Sequence, residues 1–171
     1  MNELSWSAHA AYPLLATLQW LPLAGAGLLL LLRDDRLAVL AGRLFAIAEF
    51  GLAIDLYRQL NAGSALLQFS ERLDGIAYHA AADGITVLFV LLTALLGLLL
   101  TFYGMAREQM SPARLIAVLL IVEASLMVML TTLNLLWFAA AAALQIALIG
   151  YLLWRWASGE AESQALSRFL Q

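Results

Sequence analysis

The sequence predicts an all-α integral membrane protein: a bundle of about five transmembrane helices with a short extramembrane connection between the second and third. Apolar residues make up 64% of the 171 residues, charged residues only 12%, and the mean hydropathy is +0.88. Soluble domains carry about half apolar and a quarter charged residues. The apolar residues also come in blocks near the roughly 20 residues that a helix needs to cross a bilayer. We expect a single transmembrane domain over residues 1–157 and a short polar tail over residues 158–171.

Charged or turn-rich segments separate five apolar blocks. The first block ends at Arg33-Asp34-Asp35-Arg36, which is too polar for hydrocarbon. A cleaved signal peptide is the alternative for this block, but no positive charge precedes it and no small-residue cleavage site follows closely. Ser111 and Pro112 open the fourth block as N-cap and first helical residue. The predicted helices cover residues 14–32, 37–57, 85–105, 113–133 and 135–156.

The segments outside these helices are short and polar. A turn at Asn61-Ala-Gly-Ser64 and an extended piece over Leu66–Arg72 predict a small hairpin on the membrane surface. Trp154-Arg155-Trp156 is typical of an interfacial anchor. In the tail, the spacing of Leu166, Phe169 and Leu170 predicts a short surface helix.

The distribution of arginines predicts the orientation. Two arginines, Arg58 and Arg72, fall on one side of the predicted bundle. Six fall on the other side: Arg33, Arg36, Arg107, Arg114, Arg155 and Arg168. Positive charges favour the cytoplasmic side, so we expect a multi-pass protein of a bacterial cytoplasmic membrane, with its N-terminus outside and its C-terminus inside.

Several classes of function are excluded or disfavoured by composition. The chain has no cysteine, and its two histidines are far apart in sequence, so we expect no metal site. No nucleotide-binding, zinc-protease or serine-hydrolase motif occurs, so we expect no cofactor and no catalytic residue of its own. Scattered arginines and a net charge of −3 exclude a nucleic-acid surface. This composition is compatible with a non-catalytic subunit of an oxidoreductase or transporter.

Two acidic residues lie deep within apolar blocks. Glu123 is near the middle of the fourth block, and Glu49 is the deepest charge of the second, between Arg43 and Asp55. An ionisable group at such depth indicates a functional site. Each glutamate is a candidate either for a proton relay or for the structural pairing of helices, and pairing is the favoured interpretation.

Asp83, Gly84 and His79 lie at the start of the third block. The Asp83 carboxylate can cap the free backbone N–H groups of a helix that begins at Gly84. If the helix began earlier, His79 and Asp83 would share a face and could pass a proton. A structural role, with Asp83 as a cap and His79 hydrogen-bonded, is favoured.

The segment Ala82-Asp83-Gly84-Ile85-Thr86, with Leu91-Leu92-Thr93-Ala94-Leu95-Leu96-Gly97, resembles the start of the third helix in antiporter-like subunits of respiratory complex I. Thr132-Leu-Asn-Leu-Leu-Trp-Phe138, before the fifth helix, resembles the same family. The similarity is to the N-terminal part of the chain M type and covers about Tyr12 to Trp156. Glu123 falls in a segment similar to a glutamate-alanine variant of helix four.

The resemblance implies a subunit that lacks the glutamate through which members of this family transfer protons. Family members carry a proton-transferring glutamate in helix five, followed by a proline; here that position falls near Ala143 and the proline is absent. The resemblance also implies further helices that this chain lacks, so it would not form a pump alone. In place of the acid stands a small-residue patch over Ala139–Ala143 with Gln145 beside it, a candidate surface for docking a partner helix through Ala139, Ala140 and Ala143.

The leading expectation is a truncated antiporter-like accessory subunit that scaffolds larger membrane subunits of a proton-coupled complex. The host would be a complex I relative, a membrane hydrogenase, a cation/proton antiporter or an inorganic-carbon uptake complex. The alternatives are a direct role in a proton or ion pathway, with Glu123 completed by a partner subunit, and an unrelated small membrane protein. In all three the lipid bilayer is the surrounding medium.

Overall fold

The computed structural model describes residues 13–60, 67–73, 78–103 and 111–157. Within these ranges it contains five α-helices, each long and apolar enough to cross a membrane. The prediction of a five-helix, all-α membrane bundle is confirmed. The helices are α1 (Leu14–Leu31), α2 (Asp35–Gln59), α3 (Gly84–Tyr103), α4 (Pro112–Thr131) and α5 (Leu135–Ala157).

Every helix boundary lies within two residues of its predicted position. Helix α2 begins two residues earlier than predicted, at Asp35, because the Asp34 side chain accepts a hydrogen bond from the backbone N–H of Arg36 (2.8 Å) and caps the helix. Ser111 occupies the predicted N-cap position of α4 and Pro112 follows it, but the serine side chain makes no capping hydrogen bond. The Ser111 carbonyl instead accepts the backbone N–H of Leu115.

The connection between α2 and α3 contains two antiparallel strands, β1 (Phe69–Leu73) and β2 (Tyr78–Ala82). Phe69 pairs with Ala82 at one end of the ladder. Strand β1 overlaps the predicted extended piece. The predicted turn at residues 61–64 and the predicted surface helix of the tail lie outside the described residues.

Backbone contacts fix this strand pair to the end of the bundle. The backbone N–H of Leu133, between α4 and α5, donates to the carbonyl of His79 (2.8 Å), and Ala80 forms a β-bridge with Thr132. The strands, the start of α1 and the α4–α5 junction therefore share one end of the molecule, the hairpin side.

The interior consists of two apolar clusters. The cluster on the hairpin side is formed by α1, α2, α3, α4 and the strands, and includes Leu15, Leu56 and Met127. The second cluster joins α1, α2 and α4 near the opposite side, and includes Leu29 and Ile116. Along α2 and α4, Glu49 and Glu123 lie between the residues of these two clusters.

Glu71 of β1 caps α1 from a distance in sequence. Its two carboxylate oxygens accept the backbone N–H groups of Leu15 (2.7 Å) and Ala16 (2.8 Å). Pro13 precedes the helix and supplies no side-chain cap. Burial raises the pKa of Glu71, and the hydrogen bonds from Ala16, Leu15 and Leu14 only partly oppose this rise. The strand pair thus satisfies the free N–H groups at the start of the first helix.

We expect Glu71→Ala to destabilise the chain by about 1 to 3 kcal/mol, because N–H groups at the start of α1 would lose their acceptors. Glu71→Gln keeps one acceptor and should cost less. Since the pKa of Glu71 is higher in the folded chain than in the unfolded chain, wild-type stability should fall as the pH rises through it, and the glutamine variant should lack this fall. Thermal unfolding in detergent against pH tests both points; equal loss in the two variants would exclude the capping role.

Candidate functional site

The structure brings together the two acidic residues that the sequence singled out. Glu49 of α2 is fully buried and Glu123 of α4 is 3% exposed. The two carboxyl groups lie close enough for their charges to interact. In the part of the chain that the structure describes, no carboxyl oxygen of either residue has a hydrogen-bond partner. The site is therefore a pair of buried carboxyl groups inside the helical bundle.

Gly97 of α3 makes room for one of these carboxyl groups. A Cβ atom added at Gly97 would collide with the Glu123 carboxyl group. The absence of a side chain thus creates a recess in the face of α3 that accommodates the end of Glu123. Three helices, α2, α3 and α4, form the site, and they pack against one another in pairs.

Small buried alanines flank the site residues along their helices. Buried alanines lie about one turn from the site residues on each helix: Ala46 and Ala53 on α2, Ala94 on α3, and Ala124 next to Glu123 on α4. Neither α1 nor α3 contains an Asp, Glu, Lys, Arg or His residue. In such surroundings an ionised carboxylate lacks the solvation it has in water, and two of them repel each other strongly.

Arg43 precedes Glu49 by six residues on α2. Its guanidinium lies over the ring of Phe102 on α3, 4.8 Å from the ring centroid, in a cation–π contact. Asp55, six residues after Glu49, accepts a hydrogen bond from the Gln59 side chain (3.0 Å). Of Arg43, Glu49 and Asp55, only Glu49 is buried.

The remaining residues at the start of α3 have structural positions. Asp83 accepts the backbone N–H of Thr86 (2.7 Å), and this hydrogen bond lowers the pKa of the Asp83 carboxyl group. Helix α3 begins at Gly84, and His79 lies in β2, opposite Arg72. His79 and Asp83 are therefore not on one helical face, so the structure does not form the proton-passing pair that an earlier helix start would give.

In the part of the chain that the structure describes, most of the predicted docking face of α5 is exposed. Ala139, Ala140 and Ala143 are exposed, whereas Ala141 is buried and α5 packs against α4. Gln145 is half-buried, and its carbonyl oxygen has no hydrogen-bond partner among the described residues. These three candidate docking alanines thus face away from the other described residues.

Two polar contacts on the hairpin side had no counterpart in the sequence prediction. The Gln19 side chain of α1 donates to the Thr131 hydroxyl of α4 (2.6 Å), and Thr131 in turn donates to the Met127 carbonyl (2.7 Å). Gln19 also borders a small apolar cavity of about 70 Å³ with Tyr78, whose phenol has its pKa raised by burial. These contacts join helices distant in sequence, which periodicity along one helix does not reveal.

The described residues include no cluster of three or more His, Cys, Asp or Glu side chains that could hold a metal ion. The site therefore has two carboxyl groups as its only acidic ligands. Comparison with models of known protein families and with curated proteins found no match for this chain.

Proposed function

We propose that the chain is a non-catalytic subunit that scaffolds a larger, proton-coupled membrane complex, in the manner of an antiporter-like subunit. The observation that carries the proposal is the small-residue patch of α5, which is exposed in the described part of the chain. Ala139, Ala140 and Ala143 lie on the side of α5 away from α4, together with Ala147 and Gly150, which are also exposed.

Small residues favour close contact between helices in a membrane. Lipid is as apolar as a leucine side chain, so helices associate there through close packing and occasional hydrogen bonds. The exposed alanines of α5 let a second backbone approach, and larger exposed side chains such as Leu136 and Ile146 flank them. The partner that fits is a transmembrane helix of a larger subunit with a complementary small or grooved face.

We expect Ala140→Leu and Ala143→Leu to weaken assembly with the partner, because leucine overpacks a close helix contact at a typical cost of about 1 to 3 kcal/mol. Membrane insertion should be unchanged. The yield of complex copurified with each tagged variant is the measurement.

Ala48→Leu is the matched control, since Ala48 is exposed on α2 and undergoes the same change in size. The control should assemble normally. Normal assembly of both α5 variants would show that this face contacts only lipid.

A direct role in a proton pathway is a second candidate, and the pairing of Glu49 with Glu123 favours it. Carboxyl groups inside a membrane bundle are costly and mark proton or ion routes in many transporters. The described part of this chain brings no further acidic or histidine side chain into a cluster with the pair, so a continuous route would need groups from a partner subunit.

Glu123→Gln separates this candidate from a purely scaffolding role. If the pair conducts protons, the variant should assemble normally but lose most of the proton-coupled activity of the complex, because an amide cannot release a proton. Asp55→Asn, at a half-buried carboxyl group of α2, is the control and should retain activity. Full activity of Glu123→Gln with normal assembly would leave scaffolding as the only role.

A further inference from the structure

Glu49 and Glu123 belong to different helices, yet they form one chemical unit. They are the only acidic side chains among the buried residues of the described chain, and their charges interact. Gly97 provides the space that lets the Glu123 carboxyl group enter the helix interface. The groups have to be treated as one titrating pair, since the state of each depends on the other.

The helices around the pair carry few charged groups. Helix α1 has no titratable residue, and the only one in α3 is Tyr103 at its far end. On α4 the one basic residue is the exposed Arg114 near the helix start. On α2, Arg43 lies over Phe102, and the other charged residues lie near the helix ends: Asp35, Arg36, Asp55 and Arg58.

A proton is the ligand that suits this arrangement. Two carboxyl groups that share one proton replace their repulsion with a strong, charge-assisted hydrogen bond. Ca²⁺ takes six to eight oxygen ligands, and Mg²⁺ bound by one or two carboxylates keeps several waters around it. The described residues offer two carboxyl groups in apolar walls and no larger acidic cluster.

We propose that Glu49 and Glu123 form a single proton-binding site, with one exchangeable proton held between their carboxyl groups against the Gly97 recess. The site takes protons and not metal cations. This inference deepens the second proposed function and names the ion; it does not depend on docking through α5.

The test uses dicyclohexylcarbodiimide, an apolar reagent that modifies protonated carboxyl groups in membranes. The carboxyl oxygen bonds to the central carbon of the reagent and its proton moves to nitrogen; acyl migration then gives a stable N-acylurea without loss of any atom. The full-length chain in detergent micelles is labelled across a pH series and mapped by mass spectrometry. A water-soluble carbodiimide serves as control, since it should reach the exposed Asp34 and Asp35 but not the buried pair.

We expect one apolar adduct per chain, on Glu49 or Glu123, which declines as the pH rises. Excess Na⁺ or Ca²⁺ should not reduce the labelling of either glutamate. In Glu49→Gln the pH profile of Glu123 labelling should differ from that of wild type, and in Glu123→Gln so should the profile of Glu49 labelling, because each glutamate loses the neighbour that shares its proton. Asp55→Asn should leave the profile unchanged.

Three results would overturn the inference: no adduct on either residue, pH profiles unaffected by the glutamine variants, or protection by a metal cation. Infrared spectroscopy of the wild-type chain gives a check that needs no variant. It should show a protonated carboxyl band that disappears over the same pH range as the labelling, and absence of this band would also refute the site. If labelling succeeds while Glu123→Gln leaves the activity of the complex intact, the proton site stands and the pathway role fails.

Discussion

Gly97→Leu is expected to destabilise the folded chain by about 2 to 3 kcal/mol, near the upper end for overpacking a buried position. A side chain at this position has to occupy the space of the Glu123 carboxyl group. The glutamate side chain is flexible, but at 3% exposure it has little room to move between α2, α3 and α4. Reversible unfolding in mixed detergent micelles measures the change.

Gly51→Leu is the matched control, because Gly51 is exposed on α2 and nothing lies within 4 Å of an added Cβ atom. This variant should be as stable as wild type or slightly more stable, since leucine favours helix more than glycine by up to about 1 kcal/mol. Adding Glu123→Ala to Gly97→Leu should restore part of the lost stability. Equal effects at both glycines, or no rescue, would contradict the Gly97 recess.

Replacing both glutamates with methionine is expected to stabilise the chain by about 1 to 4 kcal/mol, as found when buried charged groups give way to apolar groups of similar size. Glu49→Met/Glu123→Met removes two carboxyl groups whose burial is costly and whose oxygens have no hydrogen-bond partner in the described structure. The stability changes of the two single variants should not sum to the change in the double variant, because either single variant already removes the repulsion between the two carboxyl groups.

The sign of this change distinguishes the two interpretations of the pair. If the carboxyl groups serve to hold the helices together, the double variant will be less stable than wild type. A more stable variant that no longer reacts with the apolar carbodiimide would show that the chain keeps the pair for function at a cost in stability.

Much of the fold could be predicted because each helix is encoded locally. The lengths of the apolar blocks and residues such as Asp34, Asp83 and Pro112 place the helix ends within two residues. The contacts that decide which helices are neighbours join residues that are far apart in the sequence. Glu71 caps α1 across 55 or 56 positions, and Gln19 reaches Thr131 across 112. A hydropathy profile carries no information about contacts between residues so far apart in the sequence.

The candidate site was predicted as separate residues and not as a pair. Glu49 and Glu123 were each identified from their depth in an apolar block, but which helices are neighbours depends on packing between them. Their similar depth was the one available signal that the two could meet. The role of Gly97 could not be predicted from the sequence, because glycines are common in apolar helices and the role of each depends on which residue lies opposite it.

The central claim, that the chain works as a subunit of a larger membrane complex, is tested most directly by native mass spectrometry after mild extraction from its own membrane. We predict a complex with a different, larger membrane subunit in fixed stoichiometry, which is depleted by Ala140→Leu and Ala143→Leu but not by Ala48→Leu. A monodisperse, thermally stable monomer without a protein partner would contradict the claim.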